Sequence, residues 1–132
     1  MAGQYVSRKH GEFLHGDLTD KIIELAIKVH KKLGPGFIEK IYEKALALEF
    51  KKADMEVLSQ KVIRVEYEGA LLGEQKVDFI IDGKVIVELK SVNELNDLHQ
   101  AQILSYLKTA NKRVGLLLNF GKSKLEIKRI MN

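Results

Sequence analysis

Apolar residues in the first half of the chain recur three and four positions apart, the spacing of an α-helix with one buried side. This spacing predicts a first helix over residues 21–33, ended by Gly34-Pro35-Gly36, and a second helix over residues 38–53. The apolar side of the second helix is expected to contain Ile38, Ile41, Tyr42, Ala45, Leu46 and Leu48.

From residue 57 onward, apolar and polar residues alternate with a period of two, which is typical of strands. Three such segments, joined by turns at Glu68-Gly69 and Asp82-Gly83, precede a third helix and two more strands. The strands are predicted over residues 57–67, 70–81, 84–89, 113–118 and 125–130, and the helix over residues 96–110 with an apolar face of Leu98, Ala101, Leu104 and Leu107. The order ααβββαββ predicts an α/β (α+β) domain whose central mixed β-sheet contains a three-strand meander flanked by helices.

The composition favours a single globular domain. For 132 residues we predict an N-terminal arm over residues 1–17 and one domain over residues 18–132. No apolar run approaches the roughly 18 residues of a membrane span, and the arm lacks the apolar core of a signal peptide, so we expect a cytoplasmic protein without a membrane partner. The absence of cysteine excludes disulfides, thiolate zinc sites and cysteine nucleophiles. The net charge of +4 is compatible with nucleic acid as a partner.

Charged side chains within apolar strands point most directly to chemistry. Glu88 and Lys90 end the apolar segment 85–90, and Asp78 interrupts the preceding strand. Residues two apart on a strand share a face, and a buried charge is costly unless it is paired or binds a metal. Asp78 and Glu88, with the backbone carbonyl of Leu89, are suited to hold Mg²⁺ or Mn²⁺, while Lys90 orients the attacking water or the phosphate. The alternative is an ion pair without catalysis.

Whether the two carboxylates meet depends on the turn between their strands. A two-residue turn at Asp82-Gly83 would place Asp78 and Glu88 on opposite faces, which excludes a shared metal. A three-residue loop over residues 81–83 would instead pair Asp78 with Ile86 and put Glu88 on the diagonal, about 7–8 Å away. The apolar pattern favours this odd loop, because it brings two apolar rows to one core: Val77, Phe79 and Ile81 with Val85, Val87 and Leu89.

Polar residues on two helices are candidates to complete such a site. On the second helix, Glu39 and Glu43 are four residues apart, and Glu49 projects toward the apolar side. Each is either a solvated surface charge or a carboxylate that joins the metal, with Glu39 preferred over Glu43. On the third helix, Gln102 and Tyr106 are also four apart. They form either an ordinary polar face or contacts to phosphate, a site carboxylate or nucleic acid.

Taken together, Asp78, Glu88-Leu89-Lys90 and Gln102-x-x-x-Tyr106 resemble the PD-(D/E)XK nuclease superfamily, with Val77 in place of its proline. This resemblance implies a restriction-endonuclease-like core. The Gln-x-x-x-Tyr pair looks like that of RecB-type DNA nucleases, which implies DNA rather than RNA as the partner, and DNA ends or single strands in particular.

A second motif is similar to that of the GxxExxY family. It runs from Gly36 through Glu39 to Tyr42, and Asn119-Phe120-Gly121 agrees with the same family near the end of the chain. The resemblance covers roughly residues 18–130. It implies that Glu39 takes the place of the acidic or histidine ligand on the first core helix of related nucleases.

These observations predict a Mg²⁺- or Mn²⁺-dependent nuclease, by preference a deoxyribonuclease, that hydrolyses phosphodiester bonds by in-line attack of a metal-activated water. Two alternatives stay open. One is a catalytically silent module that binds nucleic acid or protein with the same fold, and the other is a nuclease directed at RNA. A domain of this size is also compatible with a homodimer.

Overall fold

The computed structural model describes residues 13–132, so most of the predicted N-terminal arm (residues 1–12) lies outside the described residues. The predicted order ααβββαββ is confirmed. The helices are α1 (Gly16–Leu33), α2 (Glu39–Lys52) and α3 (Asp97–Ala110), and the strands are β1 (Val57–Tyr67), β2 (Ala70–Ile81), β3 (Val85–Lys90), β4 (Val114–Asn119) and β5 (Glu126–Met131).

The five strands form one mixed sheet in the order β1-β2-β3-β4-β5. Strands β1 to β3 are the predicted antiparallel meander. Strand β4 pairs parallel to β3, with α3 as the connection, and β5 returns antiparallel to β4. Because β3 and β4 are parallel, they end at the same edge of the sheet, where Lys90 lies opposite Asn119.

Helix α1 begins at Gly16, earlier than the predicted start at residue 21. The added turn is held by Arg129, whose guanidinium donates to Thr19 Oγ1 at 3.0 Å and also to the carbonyl of Leu14. At the other end, Gly34 (φ 70°) donates its N–H to the carbonyl of His30 and ends the helix. None of the helices within residues 13–132 is both long and apolar enough to cross a membrane.

The sheet is covered on both faces. Helices α1 and α2 pack on one face against a cluster that includes Phe79, Val87 and Leu116, and α3 packs on the other against Ile63, Val77, Ile80 and Ile86. Side chains alternate between the two faces along β3, so its odd-numbered residues face α1 and α2 whereas its even-numbered residues face α3. Glu88 and Lys90 follow Ile86 on the α3 face.

The predicted buried sides of α2 and α3 are partly wrong. On α2, Ile38, Ile41 and Leu48 are 70%, 39% and 61% exposed, and the helix instead buries Tyr42, Glu43, Leu46 and Phe50. On α3, Leu98 is 79% exposed and Ala101 is also exposed, while Ile103, Tyr106 and Leu107 face the sheet. Ile38 and Leu98 lie at the N-terminal ends of their helices, whereas Leu48 lies on the side of α2 turned away from the buried Leu46 and Phe50.

The β2–β3 turn differs from the predicted loop by one step. The observed pairs are Ile81–Val85 and Ile80–Ile86, so the loop is residues 82–84 rather than 81–83. Both Asp82 (φ 52°) and Gly83 (φ 66°) are left-handed, and Asp82 is held there because its N–H and Oδ1 bond the main chain of Glu56. The loop is odd, as predicted. Its actual register places Asp78 directly across from Glu88 rather than from Ile86.

Strand β2 changes face at Asp78. Phe79 packs toward α2, edge-on to Phe50 at 5.2 Å, whereas Val77 belongs to the α3 cluster. In a regular strand these two residues would share a face, so the expectation that Val77, Phe79 and Ile81 form one row is wrong for Val77. The change coincides with Gln60 of β1, which lies between the pairs Ser59–Phe79 and Lys61–Val77 and has φ 52°.

Candidate functional site

Asp78 and Glu88 are joined crosswise by main-chain hydrogen bonds. The N–H of Asp78 donates to Glu88 Oε1 at 2.7 Å, and the N–H of Leu89 donates to Asp78 Oδ2 at 2.9 Å. Each carboxylate therefore accepts a hydrogen bond from the opposite strand, just beyond the last regular pair, Phe79–Val87. The two acids meet because the face change and the odd loop turn them toward one another.

Lys90 and α3 form the next part of the site. Lys90 Nζ donates to Gln102 Oε1 at 3.0 Å, which fixes the ammonium at the end of β3. Tyr106, one turn further along α3, is buried. Burial, followed by the charges of Glu88 and Asp78, raises the pKa of Tyr106 to about 12. The phenol thus stays a neutral hydrogen-bond donor beside the carboxylates.

The three glutamates of α2 have different surroundings. Glu43 is buried, and Glu39 lies in the first turn, close enough to Asp78 and Lys90 for their charges to affect it. Glu49 points instead toward α1, where its carboxylate lies 2.9 Å from Lys28 Nζ; Lys52 Nζ, on α2 itself, lies 3.8 Å away. Glu39 and Glu43 therefore face the strand carboxylates, and Glu49 does not.

Gln60 also lies among these carboxylates, although it was not one of the predicted site residues. Its Nε2 donates to Glu43 Oε2 at 2.5 Å and to Asp78 Oδ1 at 3.2 Å, so one amide connects α2 to β2. A left-handed residue other than glycine or asparagine is uncommon within a strand and marks stored strain. The only signal in the sequence is the polar run Ser59-Gln60-Lys61, which interrupts the alternation of β1.

The carboxylates carry more negative charge than their neighbours balance. Burial, followed by the charge of Asp78, raises the pKa of Glu88 to about 8. Burial is also the main cause of the raised pKa of Asp78, and Glu43 adds to it; burial and then the charge of Asp78 raise the pKa of Glu39. Lys90 opposes all three shifts without cancelling them.

This surplus of charge fits a hard divalent cation. Carboxylate and carbonyl oxygens are the ligands that Mg²⁺ prefers, and Mg²⁺ usually keeps several waters. Within residues 13–132, no three His, Asp or Glu side chains are grouped closely enough to hold a metal ion by themselves. Asp78 and Glu88 would therefore supply two ligands, with main-chain oxygen or water for the rest.

Comparison with known proteins identifies the family. Residues 16–130 match the family model of the PD-(D/E)XK nuclease superfamily. The chain belongs to this superfamily. The PD-(D/E)XK pattern agrees with Asp78 followed by Glu88-Leu89-Lys90, with Val77 in the place of proline. Membership of the narrower GxxExxY family stays a prediction.

A solved structure shares this fold. The crystal structure of SSO0001 superposes with a TM-score of 0.56 at 18% sequence identity, over 70% of this chain and 49% of that one. The present chain thus spans about half of that protein's length, and the likeness concerns the fold alone. No curated protein matches the chain.

Proposed function

We propose that this PD-(D/E)XK protein is a Mg²⁺- or Mn²⁺-dependent nuclease that hydrolyses phosphodiester bonds in DNA by in-line attack of water. The observation that carries the proposal is the crosswise pair of Asp78 and Glu88, fixed by main-chain hydrogen bonds and flanked by one ammonium. A structural ion pair would need only one acid beside Lys90. The surplus acid is therefore what needs an explanation.

Asp78 and Glu88 would hold the ion directly, with the carbonyl of Leu89 as a further predicted ligand. The carboxylate of Glu39 would reach the ion through a bound water, because within residues 13–132 it is not grouped closely enough with the two strand acids to bind directly. A bound divalent cation supplies Lewis acidity and offsets the negative charge that develops on the phosphate and the leaving oxygen. Glu43 would act through Gln60, because the Gln60 amide lies between Glu43 and Asp78. The Gln60 amide therefore keeps Glu43 near the proposed metal site without direct contact between the carboxylates of Glu43 and Asp78.

Lys90 would contact the reacting groups. Its ammonium has three hydrogens, and Gln102 accepts one of them, which leaves donors for the attacking water or a phosphate oxygen. Gln102 keeps Lys90 from closing an ion pair on the carboxylates. The neutral Tyr106 hydroxyl is suited to donate to a phosphate or a site carboxylate.

The test is a cleavage assay on labelled single- and double-stranded DNA and RNA, with Mn²⁺ or with a chelator. We expect product only with the metal, and a loss of about 10³-fold or more in rate for Glu88→Gln and for Lys90→Ala. Glu49→Gln is the matched control, because Glu49 lies on α2 but faces Lys28, and it should cut like the parent protein.

Cleavage that persists in chelator, or in both site variants, would contradict the proposal. Salt-dependent binding without any metal-dependent product would instead identify a catalytically silent module. The RNA substrates in the same panel test the preference for DNA. A homodimer and a cytoplasmic location stay predictions.

A further inference from the structure

A cleft of about 450 Å³ opens beside the carboxylate site, between the start of α2 and the loop after β3. We call it the Phe37 cleft; Gly36, Phe37, Ile38 and Glu39 line one wall, and Ser91 and Asn93 line the other. The cleft adjoins the proposed active site on both walls, because Glu39 also responds to the charge of Asp78 and Ser91 directly follows Lys90.

The first wall is held from behind by Tyr42. The Tyr42 hydroxyl donates to the carbonyl of Gly34 at 2.5 Å and accepts the N–H of Phe37 at 3.2 Å. The ring of Tyr42 is fully buried and stacks on Phe120 with centroids 4.7 Å apart. Tyr42 thus fixes the loop that carries Phe37, although it lines no part of the cleft itself.

The second wall is held by Asn119. Its side chain accepts the N–H of Val92 and donates to the carbonyl of Val92, each at 3.0 Å. Gly121 makes room for this loop, since a Cβ there would lie 2.4 Å from the Val92 carbonyl oxygen. Ser91 Oγ then donates to the carbonyl of Phe37 at 3.2 Å and connects the two walls.

Large apolar side chains stay exposed on this rigid frame. Phe37 is 45% exposed and Ile38 is 70% exposed. A mobile loop with unpacked side chains would not need two buried hydrogen-bonding residues to fix its backbone. Apolar groups that are fixed in place and left in water are typical of a preorganised binding site.

The chemistry of the lining indicates which ligand fits. Glu39 is the one charged residue among the lining residues, so a phosphate group belongs beside Lys90 and not in the cleft. What remains of a nucleotide is a sugar and a flat base, which suit an aromatic ring for stacking and the polar side chains Ser91 and Asn93 for its edges. In a duplex the faces of a base are covered by its neighbours, so a base reaches such a ring only after unstacking.

We propose that the Phe37 cleft binds an unpaired nucleotide next to the phosphodiester to be cut, so that the substrate is a single strand or a locally unpaired end. This inference rests on the proposed nuclease function, because the cleft adjoins the same carboxylates. It gives the Gly36–Tyr42 motif and Asn119-Phe120-Gly121 a shared role, since each fixes one wall of the cleft.

The test measures binding in chelator, where no cutting occurs. Fluorescence anisotropy of the full chain is recorded with labelled single-stranded DNA of about 12 nucleotides, the matching duplex and single-stranded RNA. Phe37→Ala should weaken single-strand binding about 5- to 100-fold and change duplex binding less than about twofold, because base stacking on an aromatic ring is lost. Phe37→Trp should retain the affinity, and Leu48→Ala, which removes an exposed leucine from α2, should have no effect.

Each outcome decides the inference. Equal affinity of the parent protein for single strand and duplex, no detectable binding to either, or unchanged single-strand binding by a folded Phe37→Ala variant would overturn it. If Glu88→Gln abolishes cleavage while Phe37→Ala binds single strands normally, the proposed nuclease function is supported and the proposed role of the cleft is overturned. If Phe37-dependent binding occurs without metal-dependent cleavage, the proposed role of the cleft is supported and the proposed nuclease function is overturned. Comparison of the DNA and RNA strands identifies which of them the cleft accepts.

Discussion

Glu88 and Glu126 are buried to nearly the same extent, at 5% and 6% exposure, but their surroundings are opposite. Glu126 accepts hydrogen bonds from the side chain of Asn119 at 2.9 Å and from the N–H of Leu95 at 3.2 Å, and Lys122 lies 4.0 Å away. Glu88 accepts one N–H, from Asp78, and burial, followed by the charge of Asp78, raises its pKa to about 8.

The difference separates a buried acid that its neighbours stabilise from one whose neighbours oppose its charge, as the proposed metal site would require. Around Glu126 every partner is a donor or a cation, so the cluster holds the loop after β3 against β4 and β5. Around Glu88 the fold enforces the meeting of like charges, which lowers stability and leaves a place for a cation. Burial by itself would not have distinguished the two.

Removing the centre of the stabilising cluster should have the largest effect. Asn119 makes four hydrogen bonds, to both main-chain groups of Val92, to Gly121 and to Glu126. Asn119→Leu should lower the free energy of unfolding by about 3 kcal/mol, because buried main-chain groups lose their partners. Urea unfolding measures it, with Asn93→Ala on the exposed part of the same loop as the control. A loss below about 1 kcal/mol would mean that water replaces the amide.

The equivalent change at Glu88 should have the opposite sign. The folded pKa of about 8 lies above the unfolded value, so in the metal-free protein the contribution of Glu88 to stability is fully present at low pH and is lost as the pH rises from about 4.5 to 8. Glu88→Gln keeps an oxygen for the Asp78 N–H and removes this loss. In chelator at about pH 8.5 it should gain about 2 kcal/mol over the parent protein, and much less at about pH 5.

Thermal and urea unfolding at both pH values would measure this gain. Glu126→Gln serves as the control and should give no gain at the higher pH. A Glu88→Gln variant that is less stable than the parent across the whole range would show that Glu88 is a stabilising residue after all.

A smaller effect is expected at Gln60, which touches the site without being a predicted ligand. Gln60→Leu should weaken Mn²⁺ binding about 10-fold, because Asp78 loses the donor that orients its Oδ1. The readout is the rise in melting temperature with Mn²⁺ concentration, which does not depend on cleavage. Gln75→Leu removes a glutamine from the same hairpin whose side chain bonds Ser105 instead, and it should bind Mn²⁺ like the parent. Equal Mn²⁺ affinity in both variants would remove Gln60 from the site.

The smallest effect is expected at Glu49, the acid of α2 that forms ion pairs with Lys28 and Lys52. The pKa of Glu49 is lowered, chiefly by the hydrogen bond from Lys28. The stabilising effect of the Glu49 carboxylate is therefore lost when the pH falls through this lowered pKa. Glu49→Gln should lower the melting temperature by less than about 2 °C at neutral pH, because exposed ion pairs contribute little. The difference should vanish in about 1 M salt; a larger or salt-independent drop would contradict this assignment.

Periodicity was sufficient to predict the element order and the mixed sheet, because each helix and strand has its own repeat of apolar residues. It failed where apolar residues serve something other than the core. Ile38 and Leu98 continue the helical repeats of α2 and α3 but are exposed, and Ile38 lines the Phe37 cleft. A sequence pattern cannot distinguish an apolar residue buried by the fold from one that is exposed at a cleft.

The odd length of the β2–β3 loop was predictable, because only an odd loop brings Phe79 and Ile81 to the same core as Val85 and Val87. The face change at Asp78, which also turns the two acids toward one another, was not predictable. Nor was the exact partner of Asp78, since it depends on Asp82 adopting a left-handed conformation that its bonds to Glu56 support. The role of Gln60 depends likewise on a backbone angle that glutamine rarely adopts. Which glutamates of α2 face Asp78 and Glu88 was not predictable either. It depends on how α2 is rotated about its own axis, which turns Glu39 and Glu43 toward the strand acids and Glu49 toward Lys28.

The crosswise hydrogen bonds make two backbone amides of the protein reporters on the state of the Asp78 and Glu88 carboxylates. The amide protons of Asp78 and Leu89 point straight at the carboxylates, so their NMR frequencies and solvent-exchange rates respond to whatever those oxygens bind. Titrating an isotope-labelled sample with acid or with a diamagnetic ion would therefore follow each acid separately through its backbone partner, with no change to the chain.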